Sequence, residues 1–427
     1  MRFFLHTIGC KINQYETHSL REAWILRGHV ETRHPDNAEL ILVNSCAVTN
    51  RAVQDLRNAV RRFHRAQPEA SILVTGCAAQ VFSSELAELP GVVAVIPQSR
   101  KPELASWPDF PGILQELTIS SYFRSRAVLK IQDGCSHGCT YCIVPLTRGP
   151  SRSRAPKVIM EEAERLLQAG IREITLSGIN LRQYGRDLPD PIDFWEMLRM
   201  IDSRLAPEWH SRARLRISSL EPSELTDKGL DVLAGCRMVC PHLHISLQSG
   251  SPDVLRRMGR GHYSPRTIES FVDRLTKTWP LFGLGVDLLV GFPGESESQH
   301  QETIDLCSSL PLSYAHVFPF SPRPGTPAAE FSEQIPGRIK KERTSALRRM
   351  VLEKQKFFLN RLIREDSLEM ILEGANRGRC QYYAECTLNN SSSARKGSLI
   401  SVKPSAVSKE RILANELTST ADNRRVS

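Results

Sequence analysis

A chain of 427 residues, 41% hydrophobic and 24% charged, is long for one domain and has the make-up of an ordinary soluble globular protein of two or three domains. Its apolar runs stay short of the ~20 residues a membrane helix needs, and Met1-Arg2-Phe3-Phe4-Leu5-His6 is too brief an apolar start for a signal peptide, so a cytoplasmic protein with no membrane partner is expected. Eleven cysteines without an export signal point to reduced thiols and metal ligation rather than disulfides, and a formal charge of +9 suits a polyanionic partner such as RNA.

Residues 3–8 read as a strand that runs into Gly9-Cys10, and residues 13–26 carry a helical apolar stripe with Gly28 just beyond it. A second strand, 40–43, leads to Asn44-Ser45-Cys46, and a basic helix spans about 51–65. A third strand, 71–74, leads to Thr75-Gly76-Cys77. Alternating strands and helices imply a parallel α/β sheet with right-handed crossovers. Cys10, Cys46 and Cys77 then all lie just past the C-terminal ends of strands, the edge where open parallel sheets bind ligands. Three buried apolar thiols are the plain alternative. Random burial does not put a cysteine at the same place after three successive strands, so a shared metal site is the reading preferred. Residues 1–110 are assigned to this first domain, and the proline-containing, aperiodic stretch 111–123 to a linker.

Six strand-like runs follow, at 127–131, 173–176, 214–218, 242–247, 285–290 and 315–319, separated by helical patterns near 156–168, 194–201, 223–233, 265–277, 297–309 and 338–364. Repeated β-α units over 124–364 point to a parallel sheet, an incomplete barrel. After its first run comes Cys135-Ser136-His137-Gly138-Cys139-Thr140-Tyr141-Cys142. Three thiolates this close can hold three irons of a [4Fe–4S] cluster and leave the fourth iron open. A structural zinc knuckle, which wants four ligands, is the alternative. Later strands end in polar or glycine-rich turns, Ser177-Gly178-Ile179-Asn180, Ser218-Ser219-Leu220-Glu221 and Gln248-Ser249-Gly250, a surface open enough for a nucleotide-like cofactor. Arg148, Arg152, Arg154 and Lys157 adjoin the cysteine loop, where arginines can clamp RNA phosphates. Basic residues also cluster near 256–266 and near 338–356, and the last group reads equally well as a solvated helix face. Beyond them, 365–417 shows short strand-like pieces of a small, mostly-β module, and 418–427 looks like a disordered tail. Cys236, Cys240, Cys307, Cys380 and Cys386 are too isolated to read as ligands.

The cysteine octet resembles the signature of the radical S-adenosylmethionine (SAM) enzymes. Its flanks, Ile131-Gln132-Asp133-Gly134 and Ile143-Val144-Pro145-Leu146-Thr147-Arg148-Gly149, are similar to those of the methylthiotransferase family. So are Gly9-Cys10-Lys11-Ile12-Asn13-Gln14, Asn44-Ser45-Cys46-Ala47-Val48-Thr49 and Gly76-Cys77-Ala78-Ala79-Gln80, and the resemblance runs over roughly residues 1–365. It implies an N-terminal parallel α/β domain, a central partial (β/α)6 radical SAM barrel and a small C-terminal β-barrel that binds RNA. It implies two [4Fe–4S] clusters, one on Cys135, Cys139 and Cys142 that chelates SAM, and an auxiliary one on Cys10, Cys46 and Cys77 that carries sulfur. Tyr141, Asn180, Glu221 and Gln248 would line the SAM pocket, and Arg148, Arg152 and Arg154 would meet tRNA; a basic residue usual in the family is Pro150 here. A flavodoxin- or ferredoxin-like electron donor is implied, with the sulfur donor left open. SAM would split into methionine and a 5′-deoxyadenosyl radical that takes hydrogen from an inert C–H bond, chemistry a cofactor must carry.

Family branches act on isopentenyladenosine or threonylcarbamoyladenosine 3′ of the tRNA anticodon, or on an aspartate of a ribosomal protein. Ser45-Cys46-Ala47-Val48-Thr49-Asn50, His242-Leu243-His244-Ile245-Ser246-Leu247-Gln248 and His316-Val317-Phe318-Pro319-Phe320-Ser321-Pro322-Arg323 most resemble the threonylcarbamoyl branch. Two readings from other classes are a metal-containing RNA-binding protein without catalysis and an iron–sulfur electron carrier. The first leaves two separate cysteine triplets unexplained, and the second needs four thiolates per cluster.

Overall fold

Five parallel strands in the order Val30–Glu31, Arg2–Thr7, Leu40–Ser45, Ser71–Gly76 and Val92–Pro97 form the first sheet of the computed structural model, which describes residues 1–108 and 116–417. The middle strand, Leu40–Ser45, is buried along its whole length, as expected for a parallel strand covered on both faces. Leu42 and Leu73 pack with Phe3, Leu20 and Trp24 on one face, while Ile41, Val43, Ile72 and Val74 meet Leu56, Val60 and Phe63 on the other. The second group belongs to the helix Asn50–Ala66, which Thr49 starts by accepting a hydrogen bond from the Ala52 amide at 3.1 Å. Pairing of Thr7 with Asn44 and of Asn44 with Thr75 ends three neighbouring strands at one level. Sequence patterning left out Val30–Glu31, Val92–Pro97 and the 3-10 helix Gln98–Ser106, whose Pro102 hides its period. Of the expected linker, 116–123 is described, with Leu117, Ile119 and Tyr122 buried; 111–115 and the tail 418–427 lie outside the described residues.

The six runs expected next are present and parallel, and neighbours in sequence are neighbours in space. They are Ala127–Lys130, Glu173–Ser177, Arg214–Ile217 continuing as Ser219–Leu220, His242–Gln248, Gly283–Val290 and Tyr314–Pro319. The third run breaks at Ser218, pairing with the second strand before the break and the fourth after it. Leu243, Ile245, Leu247, Leu284, Val286 and Leu288 alternate outward into the main core. The facing residues His242, His244 and Asp287 therefore point into the open array. Capping boxes at Asp193/Glu196 and Ser296/Gln299 fix two of the outer helices.

A closed barrel completes the described chain, in the order Leu368–Leu372, Arg377–Cys380, Glu385–Leu388, Arg411–Glu416, Leu399–Ser408. Sequence reading found three of these strands and missed Arg377–Cys380 and Arg411–Glu416, which are short and rich in polar residues. Cys380 and Cys386 sit inside its apolar core. Arg214 and Arg216, both paired with the buried Glu173, donate to the carbonyls of Glu369, Arg379 and Gln381 at 3.0–3.1 Å and so seat this barrel on the central array. Among the described residues, no helix is long and apolar enough to cross a membrane.

Candidate cofactor and metal centres

The cysteine loop leaves the central array through Gln132–Asp133 and returns in the short helix Val144–Arg148. The Cys135 amide donates to the Gly149 carbonyl at 3.0 Å, and the Thr140 amide to Met258 at 3.0 Å, so the loop is pinned at both ends. Gly134 has φ +67°, and a Cβ there would stand 2.0 Å from the Pro150 carbonyl oxygen, which restricts this turn to glycine. The sulfurs are met by donors: the His137 amide at 3.4 Å and the Asn180 and Gln183 amides at 3.8 Å reach Cys135, and Arg260 Nη1 reaches Cys139 at 3.7 Å. Burial pushes all three thiols up, Cys142 to about 12, so a bound metal would have to draw off their protons.

Glu221 gathers polar groups next to this loop. Its carboxylate accepts from Asn180 Nδ2 and Arg182 Nη1 at 3.2 Å, from Ser223 at 3.1 Å and from His262. Burial disfavours its charge, but Arg260, His262 and Arg182 outweigh that and hold the carboxyl below its ordinary range. Asn180 and Glu221 thus converge on Cys135 from the ends of two strands. Gln248 ends the next strand with φ +67°, a left-handed conformation unusual for a side chain of this kind. Tyr141 packs against Val254, Leu255 and Phe292, with its hydroxyl pushed well up by burial. In sequence Arg182 and His262 carry no signal, and Arg260 reads only as one of the basic residues that follow the fourth strand.

At the first sheet, Cys10, Cys46 and Cys77 lie at the ends of three adjacent strands. Gly9 has φ +119°, and a Cβ there would come within 2.8 Å of Cys46 Cβ, so glycine lets the first two cysteines approach. Burial raises the Cys10 thiol and takes Cys46 to about 11, with each thiol raised further by the charge of Cys77. Beneath them lies a buried ionic group. Glu16, 1% exposed, accepts from Lys101 at 2.5 Å and from Arg148 at 2.9 Å. Arg148 also reaches Asp133 at 2.8 Å and Asn13 at 2.5 Å, and Asn13 donates to the Ser45 carbonyl at 2.8 Å. Burial opposes the charge of Glu16, but Arg148, Lys101 and Lys130 hold its carboxyl well below the usual range.

This network corrects two expectations. Arg148 and Arg154 do not face a polyanion, because internal partners claim both: Arg148 as above, and Arg154 by Glu116, Glu162 at 2.6 Å and the Lys130 carbonyl at 2.7 Å. Of the three arginines only Arg152, on the short antiparallel pair with Asp133, is exposed. Arg148 instead ties the loop of Cys135, Cys139 and Cys142 to the strand ends that carry Cys10 and Cys46.

Neither cysteine triplet is gathered closely enough, as it stands, to ligate one small ion. Among the described residues, three donor atoms come within 4.8 Å of one another only in His244, Asp287 and His316. One tetrahedral zinc would hold its thiolates ~3.8 Å apart, given Zn–S bonds of ~2.3 Å. Thiolates bound to different irons of a cubane stand farther apart. The histidine set is itself a hydrogen-bonded network: His244 pairs with Asp287 at 3.0 Å, and Tyr314 Oη bridges His242 and His244 at 2.9 Å each.

Comparisons with known proteins agree with this geometry. The Radical SAM superfamily model matches residues 129–307, and the model described as Uncharacterized protein family UPF0004 matches residues 2–97. The chain is 37% identical over 362 residues to the threonylcarbamoyladenosine tRNA methylthiotransferase MtaB of Bacillus subtilis, covering 80% of this chain and 78% of that one. It is 32% identical to the protein of the same name from Thermotoga maritima, covering 96% of each. A tRNA-2-methylthio-N(6)-dimethylallyladenosine synthase of Thermus thermophilus is 34% identical over 83% of this chain and 77% of its own length. Among solved structures, the radical SAM methyltransferase TsrM from Kitasatospora setae matches with a TM-score of 0.57 at 15% identity over 77% of each chain, a likeness of fold.

Proposed function

Because this chain belongs to the radical SAM methylthiotransferase family, we propose that it places a methylthio group on threonylcarbamoyladenosine 3′ of the tRNA anticodon. It is a tRNA methylthiotransferase that uses SAM and iron–sulfur chemistry; the choice of modified base, the number of clusters and the residues below are the proposed part. The choice of base is carried by the match to a protein of that name along 96% of both chains. When bound, a cluster with SAM on Cys135, Cys139 and Cys142 supplies the radical and a second cluster on Cys10, Cys46 and Cys77 supplies the sulfur.

The chain's own residues do the positioning. Asn180 and Glu221, braced by Arg182 and His262, offer a donor and an acceptor to a nucleoside beside the loop. Tyr141 closes the loop against the apolar cluster, and Gln248 presents its amide from the neighbouring strand end. Arg148 sets the distance between the two cysteine sets. Arg152 is the arginine of this segment left to meet a tRNA phosphate, and the closed C-terminal barrel offers a further RNA surface. A flavodoxin- or ferredoxin-like protein would deliver the electron, and the cytoplasm is the proposed location.

The two modified bases ask for different sites. An isopentenyl group needs only an apolar slot, whereas a threonylcarbamoyl group brings a carboxylate, a hydroxyl and a urea-like linkage. Donors built for the latter go unpaired with the former, at about 1–3 kcal/mol per neutral group. A preference of about a hundredfold is therefore expected, since each 1.4 kcal/mol is roughly tenfold. Both tRNAs, offered anaerobically to reconstituted enzyme and digested for nucleoside mass analysis, decide the matter. Methylthiolation of the isopentenyl tRNA at an equal or greater rate would remove the threonylcarbamoyl assignment and leave the chemistry standing.

A further inference from the structure

Two arginines follow strands near the cysteine sets, and the structure treats them differently. Arg148 is saturated by Glu16, Asp133 and Asn13. Arg323 is buried to 2% exposure, yet among the described residues its side chain makes its hydrogen bond to a neutral group: Nη1 donates to Asn50 Oδ1. Its Nε and Nη2 are buried without a hydrogen-bond partner among the described residues. A buried guanidinium with one edge unmatched is costly to keep unless a ligand matches it.

That arginine lines a cavity of about 410 Å³ together with Asn50, Arg51, Gln54, Arg57 and Phe82. One side of the cavity is formed by the first two turns of the 17-residue helix Asn50–Ala66, whose first turn holds no acidic residue. Of the cavity's other cations, Arg57 pairs with Glu85 at 2.5 Å and Arg51 is exposed, 3.9 Å from Asp55. Arg323 is the buried cation of this lining, with its guanidinium carbon 5.8 Å from the centre of the Phe82 ring.

The position also fits. Asn50 is four residues past Cys46. The loop that Arg323 opens is tied to the other cysteine set, since the Ala328 amide donates to the Thr140 carbonyl at 2.9 Å. The cavity is therefore flanked by segments joined to both cysteine sets, through Asn50 on one side and the loop after Arg323 on the other.

We propose that Arg323 reads the carboxylate of the threonylcarbamoyl group in this cavity. The inference rests on the substrate reading above and makes Arg323 a specificity-determining residue. A carboxylate matches the free Nε–Nη2 edge with two parallel hydrogen bonds, which an ammonium or an amide does not. Asn50 matters because it is neutral: a carboxylate at that position would satisfy Arg323 from within the protein.

The test uses anticodon stem-loops of one sequence, bearing threonylcarbamoyladenosine, the same group with its carboxylate capped as a primary amide, or unmodified adenosine. Their Kd values are measured anaerobically with reconstituted enzyme. Wild type should hold the carboxylate about tenfold or more tighter than the amide, the scale of one charge-assisted bidentate contact. Asn50→Glu should bring that ratio to about one, and Arg323→Gln should do the same where it folds. Equal binding of both modified stem-loops by wild type would overturn the role of Arg323 even if threonylcarbamoyl tRNA remains the substrate. An equal loss on all three RNAs in Asn50→Glu would mean that Arg323 meets a backbone phosphate, and would also overturn it. Turnover of isopentenyl tRNA alone would instead bring down the substrate reading beneath it.

Discussion

Replacing Cys10, Cys46 and Cys77 together by alanine is expected to abolish methylthio transfer while SAM cleavage stays measurable. Replacing Cys135, Cys139 and Cys142 is expected to abolish both. The asymmetry follows from where the two sets stand. Each triplet is held by its own scaffold, one by three aligned strand ends and the other by a loop pinned to Gly149 and Met258. Neither scaffold borrows a sulfur from the other. Product is read by nucleoside mass and SAM cleavage by the deoxyadenosine released. Methylthiolated product from the first triple variant would remove the sulfur-supplying role from that site.

Glu16→Gln should produce the largest stability loss of any single conservative change at this junction. Glu16 sits between Lys101 at 2.5 Å and Arg148 at 2.9 Å, with both cations 4% exposed or less. Glutamine keeps the shape and removes the charge, leaving the buried Lys101 without a counterion while Arg148 keeps Asp133, a loss of about 3–5 kcal/mol. The sign of the pH dependence is fixed by the depressed carboxyl. A carboxyl whose folded pKa lies below its unfolded one adds stability above the unfolded value and loses it as pH falls toward the folded one. Wild type and Glu16→Gln should therefore differ most near neutral pH and converge below about pH 4, the ordinary range of a free glutamate. Thermal unfolding at neutral and acid pH checks this; a gap that stays constant down to pH 3 would show that the network does not owe its stability to this charge.

Much of the architecture could be read from sequence because strand patterns and cysteine placement obey local rules. The strands at 40–43 and 71–74 were identified from apolar runs, and Cys46 and Cys77 do stand just past their ends. Parallel pairing then brings distant cysteines to one edge without further information. The charges were harder. Arg148 and Arg154 follow a functional loop, and in sequence a buried arginine looks like an exposed one. What turns them inward is Glu16 and Glu116, distant in the chain, and Glu162 on the helix that follows Arg154. Lys101 is hidden for the same reason, on a helix that Pro102 conceals. Arg323 shows the converse: its importance lies in hydrogen bonds it does not make, and only coordinates can display those.

Counting iron and acid-labile sulfide per chain after anaerobic reconstitution tests the two-cluster reading most directly. About eight irons and eight sulfides are expected for wild type, falling to about four of each when either cysteine triplet is replaced by alanine. A wild-type count near four, with no further loss on replacing Cys10, Cys46 and Cys77, would contradict a second cluster at the first sheet.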